Sequence, residues 1–591
     1  MIIRDTSFEP DNVTRKAVAD LFVAMFISQL LVNTAALFDS FIVGRFFKEV
    51  CLGSTSITYQ LTFFNITLGS IFGVGSQLEC SFALAQGDML RANRVFSASL
   101  VLIAVISLVL TGLLLCFTGQ VASVMGASPA NAELHGVTSD YIRGLAIGLP
   151  SEYLSFFLTA VLPLDGDRKR IMSASVIMII VNIIGDLLVV YLFRSGMFGI
   201  GLATSVSNCC GVIILASHFP LKENRFRLVK AGNIFQWFGL FVRRSFSTIS
   251  GRFMKWLYLA ALIRIIIGLA SQADLAAYSM FNNIRNIMIC LCLGLGSAIL
   301  LVAGTLYEEK NIRGLRQAVW TGLKYSVVLG VIIGILIAWL AGPILSLYGH
   351  NAGTEEAVLA LRIYSLCFVT IFLHFFYSFY VRAIGDRFLQ AWFNVFGEFL
   401  IPTASALIMG LVYGVRGIWA AFPLGSVITV VSTILIARLR NGRCKDPRDT
   451  VMLLPQRFFD GQIRCLNVSP GDAREGSQYA KKTQEFLLSQ SFSLKTAISV
   501  SHCIEEAVSI LYEQKEDGKA PHISLFVRIE DDCILIRARS YGRIADPFRK
   551  ERDIKPMNIS ELATKMIQSI ADRAEYNTAL GVNNIIIVVN R

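Results

Sequence analysis

Charged residues are scarce in this chain. Asp, Glu, Lys and Arg make up 16% of its 591 residues, while 54% are hydrophobic and the mean hydropathy is +0.59. So little charge excludes an ordinary soluble protein of this length and points to a polytopic membrane protein. The twelve cysteines form no CxxC, and with the six histidines they form no metal-ligand spacing. That excludes a zinc site of the usual pattern and argues against a disulfide framework. Cys209-Cys210 and Cys290-x-Cys292 read as helix packing residues. A cleavable signal peptide is not expected. Residues 1–16 carry both signs of charge, and the apolar run that follows outlasts a signal h-region. The formal net charge of +12 does not imply nucleic acid, because most basic residues sit between apolar runs.

What is present is a series of apolar runs long enough to cross a bilayer, at ~20 residues each. They fall near 18–45, 51–86, 92–118, 138–164, 171–193, 197–218, 246–270, 275–306, 318–345, 357–381, 388–412 and 416–437. One alternate set of loops is rich in Lys and Arg: Arg91 and Arg94, Arg168 to Arg170, Lys222 to Lys230, Lys310 to Arg316, Arg382 and Arg387, Arg438 to Lys445. The other set carries little, with Arg45, Lys48, Arg194 and Arg416. The first set is expected to be cytoplasmic, with both termini inside. Beyond about residue 445 the apolar runs shorten and strand-like alternation appears in HISLFVRI and CILIRARS.

The expected organisation is therefore an all-α polytopic membrane protein of twelve transmembrane helices in two six-helix lobes, followed by a C-terminal α/β sandwich domain. The boundaries read 15–218 for the first lobe, 219–245 for a cytoplasmic inter-lobe linker, 246–440 for the second lobe, 441–458 for a linker and 459–591 for a cytoplasmic domain.

An internal repeat supports the two lobes. Gly73-Val-Gly75-Ser76 recurs as Gly294-Leu-Gly296-Ser297 at an offset of 221, and Gly87-Asp88 falls on Glu308-Glu309. Gly166-Asp167-Arg168 recurs as Gly385-Asp386-Arg387 at 219, and Gly201-Leu-Ala as Gly417-Ile-Trp-Ala at 216. Six spans per half make the repeats parallel. The pentapeptides NIIGD at 182–186 and NVFGE at 394–398 are only 212 apart, so they are not copies of one site. The positions equivalent to Asn182 and Asp186 fall in IPTASAL, which has no carboxylate.

Four polar residues share a depth. Asp39 lies six residues before Arg45, Asp186 eight before Arg194, and Thr204 ten after Arg194. Asn182 is one helical turn from Asp186 on the same face. All four belong to the outer half of the first lobe. Intramembrane carboxylates usually face an interior cavity. A buried pair can exchange protons near neutral pH, and a set of carboxylate, amide and hydroxyl oxygens suits a hard cation such as Na⁺. The plain alternative is a hydrogen-bond network pinning three helices. Glu152 and Glu398 are further cavity candidates. Arg264 is expected at an interface or the cavity, His374 in packing, and Arg252 and Lys255 at the inner end of the seventh span.

The segments FDSFIVGRF, GVGSQLECSFALAQGDMLRANRVFS and DGDRKR, in this order and spacing, resemble the multidrug and toxic compound extrusion (MATE) transporters over about residues 15–440. The resemblance implies two lobes around a central cavity that alternates between membrane faces, a small organic substrate, a lipid bilayer, and no cofactor beyond a coupling ion, H⁺ or Na⁺. It also implies that Asp39, Asn182, Asp186 and Thr204 match the cation-coupling residues of the archaeal and bacterial DNA-damage-inducible subgroup; Asp39 and Asp186 are the candidate metal ligands should that ion be Na⁺. The second-lobe acids of another subgroup, on spans seven and ten, have no match here.

Residues 485–591 resemble the histidine-kinase-type ATPase fold in its anti-sigma-factor form, with its functional residues lost. Glu505 is followed at the metal-ligand spacing by Ser509, and Glu506 by Ile510. The adenine-binding Asp is replaced by Ser540 in SYGRIADP, although Gly542, Asp546 and Pro547 remain, and the glycine-rich lid reads SELAT. Ser540 cannot accept the adenine amine as a carboxylate does, and a lid without glycine lays its N–H groups less closely on phosphate. The domain is therefore expected to be a binding or regulatory module for a cytoplasmic protein partner, with ATP binding disfavoured. The whole reads as a cation-coupled antiporter of the bacterial plasma membrane rather than an enzyme. A lipid-linked flippase and a membrane sensor are the alternatives.

Overall fold

A computed structural model of the chain describes residues 12–85, 88–162, 168–220, 226–232, 234–269, 272–346, 355–442, 447–455, 458, 465–468, 473–513, 523–530, 533–540, 547–548, 559–579 and 582–590. The first half contains α1 (Asn12–Phe46), α2 (Glu49–Ala85), α3 (Met89–Cys116), the short α4 (Thr118–Met125), α5 (Ala132–Ile147) with α6 (Leu149–Val161), α7 (Arg168–Leu188) and α8 (Gly196–Ala216). A π-helical segment, Val189–Phe193, prolongs α7. The second half repeats the plan with α9 (Ile234–Leu269), α10 (Gln272–Glu308), α11 (Ile312–Ser346), α12 (Glu355–Ser365) with α13 (Cys367–Ala383), α14 (Arg387–Trp392) and α15 (Ile401–Asn441). A second π segment, Phe393–Leu400, joins α14 to α15.

Among the described residues, 7 helices are long and apolar enough to cross a membrane, or 9 if each of two bent pairs is one span. The bends, 50° between α5 and α6 and 42° between α12 and α13, fall in equivalent places of the two halves. At 41 residues, α15 would reach ~60 Å if straight, twice a bilayer core. It turns at Gly414, whose φ of 62° and ψ of −147° suit a residue without Cβ. The turn lies between the two apolar runs expected at 388–412 and 416–437. Helix α9 begins at Ile234, so the segment expected as a linker over 219–245 contains its first turns.

The repeated motifs have structural work of their own. Asp88 caps α3, its side chain accepting from the Arg91 amide at 2.9 Å, and the Arg91 guanidinium pairs with the buried Glu79. Asp386 caps α14 and accepts Arg440 at 2.8 Å, clipping α14 to the end of α15. The counterparts Gly87, Gly166 and Asp167 lie outside the described residues. In the repeated Gly-x-Gly-Ser, one glycine of each copy packs across the halves. A Cβ on Gly75 of α2 would stand 2.8 Å from the Phe241 carbonyl of α9, and one on Gly294 of α10 would stand 2.8 Å from the Phe26 Cα of α1. These two close approaches belong to the α1–α10 and α2–α9 packing that joins the halves.

The C-terminal segment holds α16 (Ala473–Ser489), α17 (Leu494–Glu513) and α18 (Ile559–Ile570), with a five-stranded antiparallel sheet in the order β1-β2-β3-β5-β4. The strands are β1 (Cys465–Val468), β2 (Ile523–Ile529), β3 (Cys533–Ser540), β4 (Arg573–Ala579) and β5 (Val582–Asn590). Ile504, Ala507 and Leu511 of α17 pack with Ile534, Ile536, Ile585 and Ile587 of the sheet in a core separate from that of the helical halves. Alternation puts Arg537 and Arg539 of β3, and Arg528 of β2, on the sheet's other face. There they meet the loop between α10 and α11. Arg537 and Arg539 both pair with the buried Glu309 carboxylate, and Arg528 donates to the Glu309 carbonyl at 3.0 Å. Burial pulls the Arg537 guanidinium below its ordinary pKa, against the opposing pull of Glu309. The connecting segment is fixed to the second half as well. Asp449 pairs with Arg316 at 2.7 Å, the Tyr380 hydroxyl donates to the Met452 carbonyl at 2.7 Å, and Phe458 stacks on Tyr307.

Candidate functional site

Helices α1, α7 and α8 bring the four expected residues together. Asp39 is 8% exposed, and Asn182 and Asp186 are 0% exposed. The Thr204 hydroxyl lies 3.2 Å from Asp39 Oδ2 and 3.2 Å from the Ile200 carbonyl, so its one proton serves either acceptor. Asn182 Nδ2 donates to Thr204 Oγ1 at 3.4 Å. Asp39 and Asp186 are within hydrogen-bonding reach of each other. Two ionised carboxylates are acceptors only and cannot bond. Their contact therefore requires a proton on one of them or a cation between them.

The oxygen inventory makes the same demand. Asp39 Oδ1, Asn182 Oδ1 and both carboxylate oxygens of Asp186 are buried with no hydrogen-bond partner. A buried acceptor left unmet costs ~1–3 kcal/mol, and more when charged. Four in one cluster, all oxygen, fit a hard cation or protons. Among the described residues no group of three or more His, Cys, Asp or Glu side chains forms a metal site, so a resident transition metal has no cage of that kind. Tyr141 of α5 lies in the field of both carboxylates, a neighbour that sequence depth did not single out. Asp186 stands one turn before the π segment of α7. Such segments often mark functional positions.

The other candidates divide. Glu152 sits in the first turn of α6, just past the α5–α6 bend, and is half-buried. Glu398 lies inside the second π segment and is ion-paired. Its Oε2 accepts from Lys255 Nζ at 3.2 Å, and its Oε1 faces His374 Nε2 at 3.2 Å. This corrects two expectations. Lys255 and Arg252 lie in the middle of α9, not at its inner end, because their charges find partners inside the protein. Arg252 reaches the Ile66 carbonyl of α2 at 3.5 Å. His374 is a partner of Glu398 and not only a packing residue. Arg264 bridges α9 to the end of α4 by donating to the Val124 carbonyl.

In the C-terminal segment, Glu505 and Ser509 are half-buried on α17, and Ser540 is wholly buried with its hydroxyl unpaired. Gly542 and Asp546 lie outside the described residues. SELAT falls inside α18, within the helix and not ahead of it.

Repeated helical halves, apolar spans and a buried oxygen cluster between three of them define a polytopic membrane transporter. The MatE family model matches residues 24–188 and 248–408, one block in each half, and the chain belongs to that family. It is a transporter and not an enzyme. Over 323 residues it is 23% identical to a probable multidrug resistance protein NorM of Photorhabdus laumondii, covering 51% of this chain and 70% of that protein. It is 25% identical over 216 residues to the multidrug export protein MepA of Staphylococcus haemolyticus, covering 36% of this chain and 47% of the relative, so the match spans about half of that protein. Among solved structures, an inward-facing multidrug resistance MATE family transporter superposes with a TM-score of 0.63 at 19% identity, covering 71% of this chain and 98% of that one. A MATE in complex with MaD3S gives 0.58 at 20% identity, covering 72% and 96%.

Proposed function

We propose that this protein is a cation-coupled antiporter that exports small organic solutes or drugs across the bacterial plasma membrane by alternating access. The observation that carries the reading is the cluster of unpartnered buried oxygens on Asp39, Asn182 and Asp186 beside Thr204. Loading it with protons or Na⁺ removes the carboxylate repulsion and tightens α1 against α7 and α8. Release reverses this. A ligand that binds one packing better shifts the balance between two lobe arrangements by its differential affinity. The names of the NorM and MepA relatives support an organic or drug substrate.

Twelve crossings account for the helices. Each bent pair counts as one, α15 as two about Gly414, and both termini are cytoplasmic under the positive-inside rule. The C-terminal segment is a regulatory module with a degenerate ATPase-like plan, and its docking on the α10–α11 loop through Glu309 supports that role.

Efflux of a fluorescent organic cation from everted vesicles tests the reading, under separate pH and Na⁺ gradients. Gradient-driven flux in the wild type that Asp39→Asn and Asp186→Asn abolish, in inserted and folded protein, is the expected result and names the ion. Flux that survives both substitutions would leave the cluster as a structural network and overturn the coupling assignment.

A further inference from the structure

The 50° bend between α5 and α6 releases two backbone carbonyls. Pro150, in the first turn of α6, has no N–H to give the Ala146 carbonyl. The Gly148 N–H turns to the Leu145 carbonyl at 3.1 Å instead of the Gly144 carbonyl one residue earlier. Hydroxyls from two other helices take up the released oxygens. Thr111 of α3 donates to Ala146 at 3.0 Å, and Ser205 of α8 donates to Gly144 at 2.7 Å.

Ser205 is the neighbour of Thr204, whose hydroxyl lies 3.2 Å from Asp39 Oδ2. At this level α5 and α8 meet backbone to backbone. A Cβ on Gly144 would stand 2.9 Å from the Gly201 Cα, and one on Gly201 would stand 2.8 Å from the Tyr141 carbonyl oxygen. Tyr141 itself lies in the field of Asp39 and Asp186. Packing this close transmits a shift of α8 to α5 and to the bend.

The second half shows that a bend needs no such tether. The α12–α13 bend of 42° also turns an N–H one residue short, from Leu366 to the Ile363 carbonyl at 3.2 Å. There the released Arg362 carbonyl is taken at 2.7 Å by Ser365, within the bend itself. At the offset of 216 that relates Gly201 to Gly417, Thr204 and Ser205 fall on Ala420 and Ala421. The hydroxyl pair therefore accompanies the half that carries the acidic cluster.

We propose that Ser205 is a positioning residue for coupling: it ties the α5–α6 bend to the cation cluster, so that loading of Asp39 and Asp186 redirects α6 and the Glu152 in its first turn. The inference rests on the coupling reading of that cluster, and its test separates the two.

The test is amide exchange of α6 in the full-length protein in lipid nanodiscs. Loading is varied by pH and by NaCl, with ionic strength held by N-methylglucamine chloride and rates corrected for intrinsic exchange. Thermal midpoints of the same samples, compared with those of Asp186→Asn, report loading itself. In the wild type, loading is expected to change α6 exchange by ~2–10-fold, the scale of one neutral hydrogen bond. Ser205→Ala, which copies the second half, is expected to keep the loading shift of the midpoint and to lose the α6 response. Ser205→Cys, of similar size with a weak donor, serves the same comparison if Ser205→Ala does not fold. Thr111→Val breaks the other hydroxyl bond of the bend, so it should lower the midpoint and keep the response. A wild-type response in the Ser205 variant overturns the proposal. So does loss of the response in Thr111→Val, or a wild-type α6 that ignores demonstrated loading. If neither protons nor Na⁺ shift the wild-type midpoint in a way that needs Asp186, the coupling reading fails and this proposal falls with it.

Discussion

The Thr204 hydroxyl lies 3.2 Å from Asp39 Oδ2 and is itself approached by the Asn182 amide, so one side chain of α8 ties α1 to α7. Because Thr204 is uncharged, its removal should weaken the cluster without emptying it. Thr204→Val is expected to lower gradient-driven flux by ~2–10-fold, the scale of one neutral hydrogen bond, while Thr204→Ser keeps most of it. Initial efflux rates in everted vesicles decide this. Equal activity of the wild type and Thr204→Val would remove Thr204 from the site.

Gly75 and Gly294 set the approach of the two halves. A methyl group at either would meet backbone of the opposite half at 2.8 Å, where no flexible side chain can yield. Gly75→Ala and Gly294→Ala are each expected to cost ~1–3 kcal/mol by overpacking. The check is a lower thermal midpoint of the purified protein in detergent, accompanied by reduced flux. By contrast, Gly112, with open space around its added Cβ, should tolerate alanine.

Glu309 is the pivot of the docked C-terminal module. Glu309→Ala leaves Arg537 and Arg539 without their carboxylate in a largely covered interface. The module should then loosen. Faster amide exchange in β2 and β3 and easier proteolysis of the connecting segment are the expected signs. Arg537→Ala combined with Glu309→Ala should cost less than the sum of the two single changes, as for residues in one network. Unchanged exchange in Glu309→Ala would mean that the Asp449–Arg316 pair and the Phe458–Tyr307 stack hold the module alone.

Lys255 and Glu398 should show the asymmetry of a buried ion pair. Lys255→Met takes one of its two close partners from Glu398, and Glu398→Gln leaves Lys255 without its carboxylate. Either is expected to destabilise by ~3–5 kcal/mol at most, with less where water enters. The double variant Lys255→Met/Glu398→Gln should recover much of the loss. A double-mutant cycle on thermal midpoints measures this, and strict additivity would mean that the pair is not coupled.

The C-terminal module should not hydrolyse ATP. Under the proposed degenerate ATPase-like reading, the fully buried Ser540 stands where adenine recognition would need a carboxylate, and Ser509 of α17 stands at the metal-ligand spacing. Millimolar Mg-ATP is expected to give no thermal shift of the full-length protein and no phosphate release. A saturable shift would restore nucleotide binding to this domain.

The sequence by itself determined the helical, membrane-spanning class, because hydropathy and loop charge are local and additive along the chain. It also determined the two halves, through repeated Gly-x-Gly-Ser and acidic steps, and it grouped Asp39, Asn182, Asp186 and Thr204. Depth in a bilayer is a one-dimensional coordinate that can be counted from the nearest loop arginine. What counting could not reveal is which faces meet. Lys255 and Arg252 look like end-of-helix charges when α9 is taken alone. Only the fold shows them mid-helix, with Glu398 of another helix and the Ile66 carbonyl of another lobe as partners. Tyr141 beside the carboxylates, and Glu309 among the arginines of β2 and β3, were hidden for the same reason. The energy of a buried charge depends on groups tens to hundreds of residues away. Tertiary packing therefore decided which charged residues form a site, which form a clamp, and which four oxygens were left without a donor.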